Sequence, residues 1–442
     1  MCYNDIAVGK IRRNDMKNFF AEPERRIPVL GHYDVIVAGG GPAGFAAATE
    51  AGRNGAKTLI VDENACIGGV STSGLMSHWT GSVNSRLYSE VLKRSVEARE
   101  KYGGRNEDRT SIDTEQLKSL YLKMLKEAGV EVLLHTFICD AVVRDGKTEG
   151  IIIQNKSGRF CIFADVIVDA TGDGDVAFKA GAEYVSGREN DGKMQPATLM
   201  FKVTDVDENP VYLGSFESKY QTEKGELQAL AKKLLPHPAG HVLLYPNPIP
   251  GVVTVNMTNC IGVDGTKAED LTRAELECRN QIYAIEAFLR EYVPGYSRCR
   301  VITSAAAVGI RETRHFIGKQ TLTEEDIYSA RQFSDWVVRD AYFNFDVHCI
   351  EGAGLDETGK QAAFEQTKGY TIPYGCLLPI KLKGLILAGR CISGTHMAHS
   401  DFRAMPICLA MGEAAGIAAA LAVGKKCLPE EISAEEIQKK LF

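Results

Sequence analysis

Asp34-Val35-Ile36-Val37-Ala38-Gly39-Gly40-Gly41-Pro42-Ala43-Gly44 reads as a short buried strand that ends abruptly in Gly-x-Gly-x-x-Gly and opens into a helix from Phe45 to Asn54. A second apolar run, Thr58-Leu59-Ile60-Val61, follows and closes on Asp62. Strand, glycine turn, helix, strand and acid in that order form a dinucleotide-binding unit. Gly39 permits the tight turn, Gly41 lets backbone amides approach a pyrophosphate, and Gly44 lets the helix pack closely on the strand. Pro42 and Ala43 begin that helix, whose positive dipole end then faces the phosphates. Asp62, about 20 residues further on, offers a carboxylate to ribose hydroxyls.

The bulk of the chain narrows the class. At 442 residues it exceeds what one hydrophobic core organises, so two lobes are expected. A formal net charge of −6 argues against a general binder of nucleic acid or anionic membrane. Twelve cysteines are scattered with no CxxC or CxxxxC pair, which excludes a usual zinc knuckle and a redox-active dithiol. Unpaired cysteines at this density suit a reducing compartment, so a cytoplasmic location is expected. Met1 to Leu30 is polar and lacks an apolar signal core. It reads as an arm over the body or a partner subunit, or as a frayed extension. The apolar run Ile407 to Val423 contains Gly412, Glu413 and Gly416 and many alanines. That composition predicts a helix packed inside protein rather than a membrane span.

Between these ends the pattern alternates. A glycine- and serine-rich loop, Cys66 to Trp79, is followed by a helical stretch from Ser82 to Lys101 and a second helix from Asp113 to Ala128. Three β segments follow: Val130 to Val143, Thr148 to Gln154 and Phe160 to Phe163. A further buried strand then ends in Ala170-Thr171-Gly172-Asp173-Gly174-Asp175. From Ser186 longer strands, proline-rich breaks and a helix from Thr272 to Tyr292 indicate an inserted α+β lobe. Buried-strand composition returns at Leu385-Ile386-Leu387-Ala388-Gly389-Arg390. The expected fold is therefore α/β: a Rossmann-like domain, with a parallel sheet and a three-stranded β excursion, interrupted by an α+β substrate domain. The expected boundaries are an arm over 1–31, a first part over 32–185, an insert over 186–370 and a return segment over 371–442.

Three features favour FAD over NAD. The Gly68-Gly69 loop extends backbone contact beyond the ribose acid. The β excursion interrupts regular βαβ alternation. A late Ala388-Gly389-Arg390 turn precedes a helix with Pro406 at its start, which aims free amides at the flavin end. These stretches, together with Gly309-Ile310-Arg311-Glu312-Thr313-Arg314, resemble the glutathione-reductase-type FAD flavoproteins. The likeness is greatest to the FAD-dependent oxidoreductase family that shares a core with fumarate reductase and succinate dehydrogenase flavoproteins. The resemblance implies that Gly39, Gly41, Gly44, Asp62, Gly69, Thr171 and Gly172 line FAD. Pro42, Ala43, Glu63, Ser71, Thr72, Ala170 and Asp173 stand beside them in the candidate set. Phe137 and Ile138 would meet the adenine, and Arg390, Ala404 and Met405 the flavin end. The fumarate reductase substrate arginines and flavinylated histidine have no counterpart motif here, and Cys66 has no disulfide partner nearby.

Catalytic candidates follow from what a flavin needs: a proton carrier and charge. His396 and His399 fall in Thr395 to Arg403, just before the flavin-facing helix, where they carry a proton or cap the loop. Arg403 holds a substrate carboxylate or pairs with Asp401. His78 reaches the flavin from the loop after the ribose acid, or packs with Trp79. Arg311 and Arg314, three apart, would share a helix face and bind an anion, or pair structurally with Glu312. His348 with Asp346 offers too few ligands for a metal, and no metal site is expected. Only one Gly-x-Gly-x-x-Gly stands in strand–helix context, so no dedicated nicotinamide domain is expected. The reading is of an FAD-dependent oxidoreductase moving a hydride between flavin and carbon of a small polar substrate, either an alcohol or carbohydrate or a carboxylate-bearing one. A second substrate, an electron-carrier partner or oxygen would recycle the flavin, and a homodimer is the default assembly. The alternatives are a non-redox FAD scaffold and an electron-transfer subunit.

Overall fold

The computed structural model describes residue 24 and residues 26–101, 103–104, 108–356 and 364–442. The expected arm lies largely outside these, although its last residues, Val29 to Gly31, begin the first strand, Val29–Ala38. Val35, Ile36, Val37 and Ala38 are wholly buried, as a parallel strand covered on both faces requires. On one side this strand pairs in parallel with Thr58–Val61, which pairs in turn with Glu131–Leu133. On the other it pairs in parallel with the long strand Gly158–Asp169.

That long strand serves two structures at once. Its first half pairs antiparallel with Lys147–Asn155, which continues into Phe137–Arg144, giving the three-stranded excursion. Its last residues, Ile167 to Asp169, pair in parallel with the returning strand Leu385–Leu387. The Rossmann-like sheet is thus completed by a segment from the far end of the sequence, as an α/β fold with an insertion demands.

Two helices cross on this sheet at very short range. The glycine-turn helix is Pro42–Arg53 and the long apolar helix is Met405–Lys425. A Cβ at Gly412 would lie 2.0 Å from the Ala43 carbonyl oxygen, and one at Gly416 would lie 2.2 Å from that of Ala47. Only glycine allows such an approach. Gly44 plays the same part toward the first strand, since its Cβ would stand 1.8 Å from the Gly39 oxygen. Among the described residues Met405–Lys425 is the one helix long and apolar enough to cross a membrane, and most of it is buried inside the protein. Its Glu413 accepts hydrogen bonds from the Ser85 hydroxyl at 2.6 Å and the Leu87 amide at 3.2 Å, closing the start of helix Arg86–Lys101.

A second core forms around the antiparallel sheet of Leu244–Pro246, Val253–Val255, Phe201–Thr204 and Arg300–Ser304. Helix Ala268–Tyr292 covers it with Ala274, Cys278, Ile282, Ile285, Phe288 and Leu289, an apolar stripe at helical spacing. Buried residues of this core end at Val308, and those of the first core resume at Phe316 and Leu322. Residues 316–345 and 364–370, expected in the insert, therefore pack in the first core. The reason is strand pairing over long range: Trp336–Tyr342 lies between Tyr370–Pro373 and Ser82–Asn84. The same pairing makes Ser82–Asn84 a strand where a helix was expected, and the helix starts at Arg86.

Gly416→Val is expected to destabilise the fold by about 3 kcal/mol or more through overpacking of the helix crossing. Gly424→Ala lies on the same helix with nothing within 4 Å of the added Cβ, so it should leave stability equal or up to about 1 kcal/mol higher. Urea denaturation midpoints of the two variants check this contrast.

Candidate active site

A cavity of about 690 Å³ lies between the two cores. Its floor is the glycine turn, Gly39 to Ala43, continued by Asp62, Glu63 and Gly69, then by Ala170 to Asp173 and by Ala388 to Arg390. The turn is shaped for close approach. Gly39 has φ +90° and its Cβ would strike the Ala170 backbone at 2.5 Å, whereas the Gly41 Cβ direction is open. Gly69 packs over the turn with its Cβ direction 3.1 Å from the Gly41 Cα. The two crossing helices both begin at this cavity, through Pro42 and Ala43 and through Ala404 and Met405, and neither has a side-chain cap. Their first-turn amides are therefore free to meet anionic groups at two points along a long ligand.

Carboxylates organise the turns. Asp62 accepts the Gly40 amide at 2.5 Å and the Asn64 amide at 2.7 Å, which fixes its carboxylate at the cavity edge while leaving each oxygen a further lone pair. Buried Asp169 accepts the Thr171 amide and hydroxyl and the Ala177 amide, holding the second glycine turn in place. Burial raises its carboxyl to about 6 against these bonds. Arg390 Nη2 donates to Asp173 at 2.9 Å, while its Nη1 is buried with no hydrogen-bond partner. Free helix amides, an open glycine cradle and an unpartnered guanidinium nitrogen together fit a long, anionic, polar-edged cofactor such as FAD.

The opposite wall comes from the insert and the returning chain. Thr198, Met200, Tyr245, Asn256, Arg311, Asp346, His348 and Arg403 face the same space, with His78 beside them. Arg403 Nη2 donates to Asp346 at 2.8 Å, and His348 Nε2 stands 3.3 Å from the same carboxylate. Burial resists ionisation of Asp346, but His348, Arg403 and Arg311 outweigh it and hold the carboxyl well below its usual range. Burial and the Arg311 charge push His348 down to about 4, against Asp346. Burial does the same to His78, opposed by Asp108. Its ring lies 4.5 Å from that of Tyr245, and its Nδ1 is 2.9 Å from the Ser77 hydroxyl. Burial, with the Asp346 charge, keeps the Tyr245 hydroxyl protonated.

Of the expected cofactor residues, Gly39, Gly41, Pro42, Ala43, Asp62, Glu63, Gly69, Ala170, Thr171, Gly172, Asp173, Arg390, Ala404 and Met405 line the cavity. Gly44, Ser71, Thr72, Phe137 and Ile138 do not. Gly44 is spent on helix–strand packing, and the Ser71 and Thr72 hydroxyls donate to Gly68 and Ile67 carbonyls within their own loop. Phe137 and Ile138 belong to the outer strand of the excursion. Of the catalytic candidates, His78 and Arg403 reach the cavity and His396 and His399 do not. Their segment is a helix, His396–Phe402, capped by Thr395, and it turns both rings into the interior. Arg311 and Arg314 are also parted, because they do not share a helix: Arg311 lies outside any helix or strand and Arg314 opens the strand Arg314–Phe316. Arg311 faces the cavity, while Arg314 stacks on Phe178 and pairs with Asp175. Tyr245 and Asn256 carry no motif and escaped the sequence reading.

A family profile described as FAD dependent oxidoreductase matches residues 34–441. The chain belongs to this family. It is an FAD-dependent oxidoreductase, and the cavity floor is where its residues fit the cofactor. Among curated relatives, a thiamine thiazole synthase of Methanococcus maripaludis is 26% identical over 165 residues, covering 36% of this chain and 60% of the relative. A digeranylgeranylglycerophospholipid reductase of Picrophilus torridus is 25% identical over 290 residues, covering 61% and 64%. The chain thus spans less than two thirds of the length of these relatives. Among solved structures, a geranylgeranyl bacteriochlorophyll reductase-like protein of Thermoplasma acidophilum aligns over 92% of this chain and 82% of its own, with 14% identity and a TM-score of 0.47.

Gly41→Ala is expected to fold normally and to lose FAD affinity, because its methyl enters open cavity space. Gly39→Ala should instead lower stability, because it strains φ and strikes the Ala170 backbone. Flavin content and thermal midpoint, measured together, separate the two. The histidines give a pH signature. His78 and His348 bind a proton near 6.5 when unfolded and near 4 when folded, so the unfolded state holds more protons in between. Stability should therefore fall as pH drops from about 6.5 to about 4, by at most about 1.4 kcal/mol per pH unit for each ring. Urea midpoints across this window should show a shallower slope in His348→Leu.

Proposed function

We propose that this FAD-dependent oxidoreductase exchanges a hydride with a carbon of a substrate that carries a carboxylate or a comparable anion, and that Arg311 holds the anion. The observation that carries the reading is the state of Arg311. Its guanidinium lines the cavity and is only 9% exposed, with Nη1 donating to the Pro196 carbonyl at 2.6 Å and the Thr198 hydroxyl at 2.8 Å. No carboxylate among the described residues pairs with it. Burial first, and then the Arg403 charge, lower its proton affinity to about 10, so it remains a cation at neutral pH. Asp346, the carboxylate that acts on it, is paired with Arg403, so the buried cation is only partly compensated and an anionic ligand group relieves the cost.

FAD bound on the cavity floor supplies the hydride chemistry. The chain supplies orientation and charge. Arg311, fixed by two oxygens on one edge, presents its remaining donors to the anion. Asp346 holds Arg403 in place and neutralises it, so Arg403 steers as a hydrogen-bond donor more than as a bare charge. Neutral His78 and the protonated Tyr245 hydroxyl are the groups of this wall able to carry a proton. An alcohol substrate would have drawn support from His396 and His399 as bases, and their burial away from the cavity removes that support.

The test is anaerobic reduction of the bound flavin by a panel of saturated carboxylic acids and neutral alcohols. Bleaching by acids is expected, with Arg311→Met raising the half-saturating acid concentration by about 100-fold at unchanged flavin content. Bleaching by neutral alcohols alone, or acid affinity unchanged in Arg311→Met, would overturn the reading.

A further inference from the structure

Behind the cavity wall, and not part of its lining, Glu312, His315 and His399 converge in the interior. One ligand atom from each lies within 4.8 Å of the others, and all three side chains are buried. The hydrogen-bond geometry of this cluster is incomplete. His315 Nδ1 lies 3.0 Å from the Gly394 carbonyl oxygen, which can only accept, so Nδ1 carries a proton. In a neutral imidazole the other nitrogen, Nε2, is then a lone pair. That lone pair stands 2.9 Å from Glu312 Oε1, an acceptor in its ionised form. Two acceptors at this separation repel unless a cation lies between them.

Glu312 is held as a carboxylate by its other bonds. Its Oε1 also faces His396 Nδ1 at 2.6 Å, and its Oε2 accepts the Gln195 amide at 3.1 Å. The ring of His399 lies 4.5 Å from that of His315, and its buried Nδ1 has no hydrogen-bond partner. The cluster thus combines a lone pair on His315 Nε2, an oriented carboxylate and a buried imidazole with an unpartnered nitrogen, with one ligand atom of each within 4.8 Å of the others.

We propose that Glu312, His315 and His399 bind a divalent transition-metal ion, with zinc the best match to two imidazoles and one carboxylate. Three protein ligands of this kind leave one position of a tetrahedral shell for water. The Gly394 carbonyl fixes the His315 tautomer and the Gln195 amide and His396 ring orient Glu312, as outer-shell partners do in metal sites. Two of the ligands sit close to cavity residues: Glu312 follows Arg311 directly, and His399 lies one helical turn before Arg403. The ion would tie the segment that bears Arg311 to the helix that carries Arg403, so its role is to position the anion-binding wall.

The test uses the flavin-loaded full chain, titrated with zinc and examined by elemental analysis and X-ray absorption. One ion per chain is expected, with nitrogen and oxygen neighbours at about 2.0–2.2 Å and imidazole outer-shell scattering. Affinity should fall at least about tenfold in His399→Ala and in Glu312→Gln. Flavin content reports whether each variant has folded. If a variant does not fold, the wild-type absorption spectrum decides alone. Absence of bound zinc in the wild type would overturn the proposal and leave a proton between His315 and Glu312. A sulfur-ligated or fully hydrated ion, or equal binding by folded variants, would overturn it as well.

Discussion

The contact on which the rest depends is the crossing of the glycine-turn helix by the long apolar helix. Gly412 and Gly416 leave room for the carbonyls of Ala43 and Ala47, and no larger residue would. Because the helices cross so closely, their uncapped first turns open into one cavity. One comes from near the start of the sequence and the other from near its end. A long cofactor would have its phosphate middle and its electron-accepting ring both met by helix amides only under that constraint.

Charge divides the cavity into two regions. At the floor, Asp62 and Asp173, with Asp169 buried beneath it, act on backbone amides, two threonine hydroxyls and Arg390, fixing turns rather than presenting bare charge. On the opposite wall Arg311 and Arg403 stand near one carboxylate, Asp346, while Glu217 and Glu275 line the cavity as well, Glu275 paired with Arg279. The neutral imidazoles of His78 and His348 add polarity without charge.

The sequence carried much of the floor because those contacts are local. Gly39, Gly41 and Asp62 lie within one strand–turn–helix–strand unit, and their spacing is set by backbone geometry. The same holds for Asp113, whose side chain caps helix Thr114–Glu127 as its position suggested. Long-range pairing was not legible. Ser82–Asn84 reads as the start of a helix until Trp336–Tyr342 lies beside it. Residues 316–345 and 364–370 read as insert until their strands join the first core.

The histidines show the same division most plainly. By itself the sequence determined the FAD-binding class, through local glycine turns and the acids that hold them. It also placed His396 and His399 near the flavin-facing helix. Their direction was left to tertiary structure, because about two residues of helix rotation separate a side chain in the cavity from one in the core. Thr395 starts that helix with both rings inward, against Glu312 and His315. Arg311, left open between anion binding and a pair with Glu312, faces the cavity. Which charged groups face the ligand and which face one another is fixed only when the two cores close on each other.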